Sequence, residues 1–443
     1  MNELLDWLHL CRKSARLEVR HIRHEALTEW HLDAAGVLVH RSRRFFAIAK
    51  VSRRIGGEWQ SQPIILQPEI GILGFAARTG VSGNELLLQA KTEPGNHGGT
   101  QFAPSVQATE SNFERVHGGR PTPLLAEFRR PDRAAVLCDL LQSEQGSRFF
   151  GKYNRNVMLL LPHAQVDGKN WRWTAIEQIL PLLWVDHCVN TDARSVLVCA
   201  PWSFLCGDRA PFTLAVDVWS RSLAQSFASR DPHRLTAARD TLEQLRKDSL
   251  PSVGEIAGLP ECHEWTRFSR GWRDRHRARF DICLVAVSVR DREVGAWQQP
   301  LFTACGPSRI VMLVQVRAGE LRIMLRARAQ IGFREGWQYG PSLMSEFDAS
   351  RDRLWQAGVQ DRGRLRARVC QSDEGGRFGW TECNYEIREL EAHCALPNDP
   401  TQVWLSLGEC LDLVQTPGLV DNEARSCLSL FLPWLLHPPQ ASA

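Results

Sequence analysis

The sequence predicts an α+β protein built from two tandem copies of one module, each a mostly antiparallel or mixed sheet with flanking helices. Three observations predict it. Short segments recur in fixed order at near-constant spacing, strand-like runs alternate with Gly-containing turns in both halves, and each half closes on an amphipathic helix. Gln62-Pro63 recurs 237 residues on as Gln299-Pro300, Leu88-Gln89-Ala90-Lys91 as Leu325-Arg326-Ala327-Arg328, and Pro104-Ser105 as Pro341-Ser342. Further along the spacing shortens, as loops of unequal length require. Gln142-Ser143-Glu144 with Arg148-Phe149 answers to Gln371-Ser372-Asp373 with Arg377-Phe378, and Ala193-Arg194-Ser195 to Ala424-Arg425-Ser426. The halves meet within 205–245, and the expected division is 1–225 and 226–443.

The elements follow in order. Leu4, Leu5 and Leu8 are spaced for one apolar helix face near the start. Phe45 to Val51 and Asp281 to Val287 read as corresponding strands ahead of the Gln-Pro anchors. Ile70 to Ala77 and Glu85 to Lys91 read as a hairpin across Thr79-Gly80-Val81-Ser82-Gly83, matched by Ile310 to Val316 and Glu320 to Ala327. A strand is expected over 103–112. Helices are expected over 175–183 and 405–413, and a charged helix over 235–250.

Composition narrows the function. Lys+Arg 54 against Asp+Glu 50 leaves no basic footprint for a nucleic acid. No apolar run approaches the ~20 residues of a membrane span, and the N-terminus lacks a signal-peptide pattern. The 13 cysteines are odd in number and form no CxxC pair. Reduced thiols in a cytoplasmic protein fit that pattern better than zinc or disulfides. His9, His21, His24, His31 and His40 crowd the N-terminal region without zinc-like spacing. Only six lysines occur, Lys13, Lys50, Lys91, Lys152, Lys169 and Lys247, which reads as codon bias.

The densest polar stretches are 88–96 and 101–113. Alternation puts Gln89, Lys91 and Glu93 on one face, and Ser105, Gln107, Thr109 and Ser111 on one face of the next run. Such faces meet either water or a polar pocket, and two neighbouring ones suit a hydroxyl-rich ligand.

The stretches QPIILQPEIGILGF, LLLQAKTEPGN and QFAPSVQATESNFERVHGG (62–75, 86–96, 101–119) resemble the nucleotide-sugar 2,3-dehydratases that act on dTDP-4-keto-6-deoxyhexoses in deoxysugar biosynthesis. The resemblance continues through Ser143-Glu144-Gln145-Gly146-Ser147-Arg148-Phe149 and Val189-Asn190-Thr191-Asp192-Ala193-Arg194-Ser195. It implies two Nudix-like modules per subunit, a homodimer, a nucleoside-diphosphate sugar as substrate and a downstream 3-ketoreductase. It also implies no redox cofactor and no obligatory metal. The metal-binding Nudix phosphohydrolase helix is absent from the sequence, which argues against phosphohydrolase activity despite the implied fold.

The implied reaction sets the expected roles. A ketone at C4 acidifies the C3 hydrogen, and the C2 hydroxyl leaves with a proton, giving a 3,4-diketo sugar. The site needs a base, an acid and donors to the C4 oxygen. Glu93, Lys91 and Gln107 are the expected catalytic set, with Glu93 as base and Lys91 as donor, an assignment that can be exchanged. Trp59, Gln62, Gln89, Gln101, Ser105, Thr109, Asn112, Ser143, Arg148, Asn190 and Arg194 are the expected substrate contacts. Trp59 and Trp297 suit either base stacking or the core.

Departures count as well. Phe113 replaces the tyrosine the family usually carries after Ser111-Asn112. In the second half, Gln330 and Met344 stand where the first has Glu93 and Gln107. Trp297, Arg326, Arg328, Ser342 and Arg377 therefore suit a nucleotide diphosphate without chemistry, or a structural half. The rival to a lyase is a non-catalytic nucleotide-sugar-binding or scaffolding homologue.

Overall fold

Helix α1 (Asn2–Ala15) forms because Leu4, Leu8, Cys11 and Ala15 recur on one face, and all four are buried. Glu3 in its first turn and Arg12 and Lys13 in its last complement the helix dipole. The structure, a computed structural model, describes residues 2–80, 83–109, 121–207, 209–212, 217–249, 252–290, 294–348 and 352–436. It is α+β, with antiparallel and mixed sheets and mostly short helices.

Strands β1 (Glu18–His21), β2 (Trp30–Leu32), β3 (Leu38–His40), β4 (Ala47–Ile55) and β5 (Glu58–Leu66) come first. They are followed by β6 (Gly71–Gly80), β7 (Gly83–Thr92), β8 (Thr100–Ala103), β9 (Val106–Ala108), α2 (Leu125–Arg129), β10 (Val136–Ser143), β11 (Tyr153–Leu160) and β12 (Trp171–Ala175). Helices α3 (Ile176–Ile179), α4 (Thr191–Cys199), α5 (Trp202–Leu205), α6 (Val218–Ala228) and α7 (Pro232–Asp248) lead to the second half. There β13 (Ser252–Ala257), β14 (Trp265–Phe268), β15 (Gly271–Asp274), β16 (Phe280–Ser288) and β17 (Ala296–Ala304) precede β18 (Ser308–Arg317), β19 (Glu320–Ala329), β20 (Trp337–Gly340) and β21 (Leu343–Met344). Helices α8 (Ser345–Asp348) and α9 (Arg353–Gln356), strands β22 (Arg364–Gln371), β23 (Cys383–Leu390) and β24 (Gln402–Leu405), and helices α10 (Leu407–Val414) and α11 (Asn422–Leu428) complete it.

The two seven-stranded sheets pair alike. In one, β10-β11-β6-β7-β12 are neighbours, β8 joins β7 and β9 joins β6; in the other, β22-β23-β18-β19-β24 are neighbours, β20 joins β19 and β21 joins β18. The β11–β6 and β23–β18 pairs are parallel and the rest antiparallel. The two five-stranded sheets exchange a strand. β1 of the first half pairs with β16 of the second, and β13 pairs with β4 of the first. The largest apolar cluster joins the halves, taking Phe75 and Leu88 from one sheet and Met312 and Leu325 from the other. Residues 225 and 226, the expected division, lie inside α6, where the Ser226 hydroxyl donates to the Leu321 carbonyl of β19 at 2.6 Å.

Two expected elements take a different form. The strand read over 103–112 divides at Pro104, which has no N–H to continue a ladder. β8 before it pairs with β7, and β9 after it pairs with β6. β6 and β7 pair directly only from Ala77↔Leu86 to Gly80↔Gly83 and then part. Ser105 wedges the opening, its Oγ accepting from Ala76 N at 2.9 Å and donating to Leu87 O at 2.5 Å. Ser342 repeats this between Leu313 N, at 2.8 Å, and Met324 O, at 2.7 Å. The helix read over 175–183 is α3 followed by a 3-10 turn over Leu180–Trp184, because Pro181 cannot supply the next α-helical hydrogen bond.

Candidate active site

Where β6 and β7 diverge they open a pocket, floored by Gly71 and Leu73 of β6 and reached by Lys91 at the end of β7 and Gln107 of β9. Glu93 follows β7 in a turn tied back by its own N–H to Gly99 O at 2.9 Å. Its carboxylate is 3 % exposed. Oε1 faces Lys91 Nζ at 3.5 Å and accepts from Gln107 Nε2 at 3.3 Å, while Oε2 is buried with no hydrogen-bond partner. Lys91 Nζ also donates to the Gln107 carbonyl at 3.1 Å, and Asn190 Nδ2 donates to Gln107 Oε1 at 3.2 Å. Lys91, Glu93, Gln107 and Asn190 are thus brought together, with Thr109 on the same wall.

Asn190 owes its position to a second task. Its Oδ1 caps α4 by accepting from Ala193 N at 2.9 Å. The first turn of that helix then carries Asp192 into the pocket.

Four titratable groups that sequence reasoning passed over line the same pocket: Glu144, Lys152, Asp192 and Glu374. Glu144 and Asp192 lie within the very segments that carry the resemblance, and Lys152 is one of only six lysines, so a signal existed. Burial, with Glu144, Glu374 and Glu93 nearby, raises the Asp192 carboxyl well above the usual range. Burial and the Glu93 charge push Glu374 up to about 7. Glu144 is raised by burial, although Asn154 donates to it at 2.6 Å. Burial lowers the Lys152 ammonium to about 8. Buried carboxyls crowded together cannot all ionise, so such a pocket holds protons near neutral pH.

The second half supplies one wall. Trp297, Gln299, Glu374 and Arg377 all line the same pocket. Trp297 Nε1 donates to Gln299 Oε1 at 2.6 Å, and Arg377 Nε donates to Gln67 Oε1 at 3.2 Å with its guanidinium over the Phe46 ring. Trp297 and Arg377, expected at a site of the second half, therefore stand opposite Glu93.

Other expected contacts are engaged with protein atoms. Gln62 Nε2 donates to Ser147 O at 2.6 Å, Gln101 Nε2 to Ser372 Oγ at 2.6 Å, and Ser143 Oγ to Gln338 Oε1 at 2.7 Å. Ser105 is the wedge already described. Arg194 is fully buried and holds Val189 O, Leu183 O and Ser429 Oγ. Arg148 pairs with Glu346 and lies over the Phe280 ring. Gln89 lies on β7 opposite Trp171 and Ala103. Trp59 is 65 % exposed on β5 and is not among the pocket's lining residues. Asn112, with Ser111 and Phe113, lies outside the described residues. At the second half's corresponding position Arg326 pairs with Asp352 and Asp399, and Arg328 donates to Ser342 O at 3.1 Å. Among the described residues no group of three or more His, Cys, Asp or Glu is placed to hold a metal ion.

With this geometry in view, comparison with known proteins decides the family. The family model for NDP-hexose 2,3-dehydratase matches residues 1–200 and 239–431. The chain belongs to the NDP-hexose 2,3-dehydratase family. It is 30% identical over 439 residues to a dTDP-4-dehydro-6-deoxy-alpha-D-glucopyranose 2,3-dehydratase of Saccharopolyspora spinosa, covering 95% of this chain and 89% of that relative. Proteins of the same description from Amycolatopsis orientalis and Streptomyces violaceoruber are each 32% identical, covering 96% and 91% of this chain and 88% and 90% of theirs. A solved ADP compounds hydrolase matches 34% of this chain and 83% of its own length at 18% identity, with a TM-score of 0.22, a likeness too weak to define the fold.

Proposed function

We propose that this NDP-hexose 2,3-dehydratase family member is a lyase that removes water across C2 and C3 of a nucleotide-linked 4-keto-6-deoxyhexose, dTDP-4-keto-6-deoxyglucose being the expected substrate. The observation that carries the reading is the Glu93 carboxylate, buried in the pocket with one oxygen held by Lys91 and Gln107 and the other unpartnered. An unpartnered buried carboxylate oxygen is poised to accept a proton. Glu93 takes the C3 proton, and the electron pair passes toward the C4 oxygen. Lys91 stabilises the charge that develops there. Gln107, oriented by Asn190, and Thr109 bind sugar hydroxyls. Arg377 and Lys152 meet the diphosphate, and Trp297 offers a face to the base.

The same reading covers the architecture. Identical sheet pairing and the repeated Ser wedge support two copies of one module interlocked by strand exchange, and the Nudix-like fold and a division near 225 are inferred from the resemblance and the repeat. A homodimer, a cytoplasmic location and a 3-ketoreductase that takes the product are inferred with it. No helix among the described residues is long and apolar enough to cross a membrane.

The test is incubation of the protein with dTDP-4-keto-6-deoxyglucose, with and without a 3-ketoreductase and its nicotinamide cofactor. A 3,4-diketo product releases dTDP unless it is reduced. Substrate that survives with no dTDP released and nothing reduced would refute the lyase and favour the binding homologue.

A further inference from the structure

Glu374 belongs to the second half yet opens into the pocket of the first. Its neighbour Gly376 marks how close it comes to Glu93. A methyl built on Gly376 would stand 2.3 Å from Glu374 Oε1 and 3.5 Å from Glu93 Oε1, so the two carboxyls flank one point. The loop is set by a hydrogen bond from Gly95 N to Gly375 O at 2.9 Å, joining the turn that bears Glu93 to the turn that bears Glu374. We propose that Glu374 is the general acid that protonates the departing C2 hydroxyl, with Glu93 across the pocket as its partner base.

This rests on the lyase reading and adds the second half to the chemistry. Glu93 removes the C3 proton, and the C–H electron pair forms the C3=C4 enolate. Collapse of the enolate forms C2=C3 and breaks the C2–O bond, and that oxygen takes the Glu374 proton to leave as water. Glu93 is then protonated and Glu374 ionised, so the pair carries one negative charge before and after. No net charge is created among the buried side chains, where it would be costly. Return of the proton from Glu93 to Glu374 resets the pair as the enol tautomerises. Burial and the Glu93 charge favour this starting state by holding the proton on Glu374. Asp192 is less suited: it sits in the first turn of α4, and Glu144 rather than Glu93 is first among the charges acting on it.

The two half-reactions can be read separately. Enolate formation exchanges the C3 hydrogen with solvent deuterium, whereas loss of water gives product. Glu374→Gln keeps the shape but has no proton to transfer. It is expected to retain exchange at C3 in D2O, followed by mass spectrometry, while turnover falls by ~10²–10⁴-fold. Glu93→Gln is expected to lose both. Turnover at the wild-type rate in Glu374→Gln, equal loss of exchange and turnover there, or separation of the two by Asp192→Asn instead would each overturn the assignment. Should the Gln variant not fold, Glu374→Asp carries the test. Retained exchange with reduced elimination supports the role, and parallel loss of both overturns it. A wild-type protein that neither exchanges nor eliminates would overturn the lyase reading itself, and this assignment with it.

Discussion

At Glu93 and its neighbours, activity turns on which groups hold protons. Gln330 takes the corresponding place in the second half, and an amide is no base near neutral pH. Glu93→Gln is therefore expected to lower kcat by ~10²–10⁴-fold under saturating substrate, while Gln330→Ala leaves kcat within a few-fold of wild type. A Glu93 variant that turns over normally beside a dead Gln330 variant would move the site to the other sheet. Proton holding also has a stability consequence. Glu374 is pushed from 4.5 up to about 7 by burial and the Glu93 charge. The folded chain then binds a proton between these values that the unfolded chain releases, so stability is greatest below the lower value and declines as pH rises through the upper one. Glu374→Gln removes that penalty and is expected to raise Tm at pH 8 by ~1–4 °C, with a smaller difference at pH 5. A gain in stability at the expense of activity is the usual signature of a functional group. A melting series over this pH range, showing equal Tm differences throughout, would contradict it.

Between elements, two pairs of turns clasp, each pair joining one half to the other. Gly95 N donates to Gly375 O and Trp380 N to Gly95 O; Gly332 N donates to Gly146 O and Gly151 N to Gly332 O. A methyl at Gly95 would stand 1.6 Å from Phe378 O, and one at Gly332 would stand 1.8 Å from Phe149 O. Only glycine permits that approach. Gly95→Ala and Gly332→Ala are each expected to cost ~1–3 kcal/mol of stability, measured by denaturant titration. The Gly95 turn also carries Glu93, so Gly95→Ala is expected to depress kcat further than Gly332→Ala does. Equal kcat in the two variants would show that the Gly95 turn does not position the base. The Pro-Ser anchors gain meaning at the same scale. Ser105 was legible as a recurring residue, but its side chain holds β6 and β7 apart rather than meeting a ligand.

For the whole molecule, the pocket is a joint product of the halves. Residues 1–225 alone lack Trp297, Glu374 and Arg377 of the pocket wall, and they lack β13, which covers β4. Exposed strand edges recruit other chains. Expressed alone, 1–225 is expected to aggregate and to give no dTDP release, as judged by soluble yield and product assay. A soluble, active N-terminal half would refute the shared pocket.

The sequence by itself determined the α+β class, the recurring anchors, the family and the polar strand end that bears Lys91 and Glu93. These are local or periodic features, and a period of two or a run of identical residues survives without knowledge of contacts. It also determined that Gln330 and Met344 replace the first half's Glu93 and Gln107. Tertiary structure alone decided which polar residues reach the pocket. Gln62, Gln101, Ser143 and Arg194 carry the same donors as a ligand-binding residue, and only their buried partners show them holding protein atoms. It alone brought Glu374, Trp297 and Arg377 to Glu93 from more than 200 positions away. The reason is physical: strand exchange and the clasped turns are long-range contacts, set by packing between halves, and no spacing along one chain encodes which half's side chain enters which half's cavity.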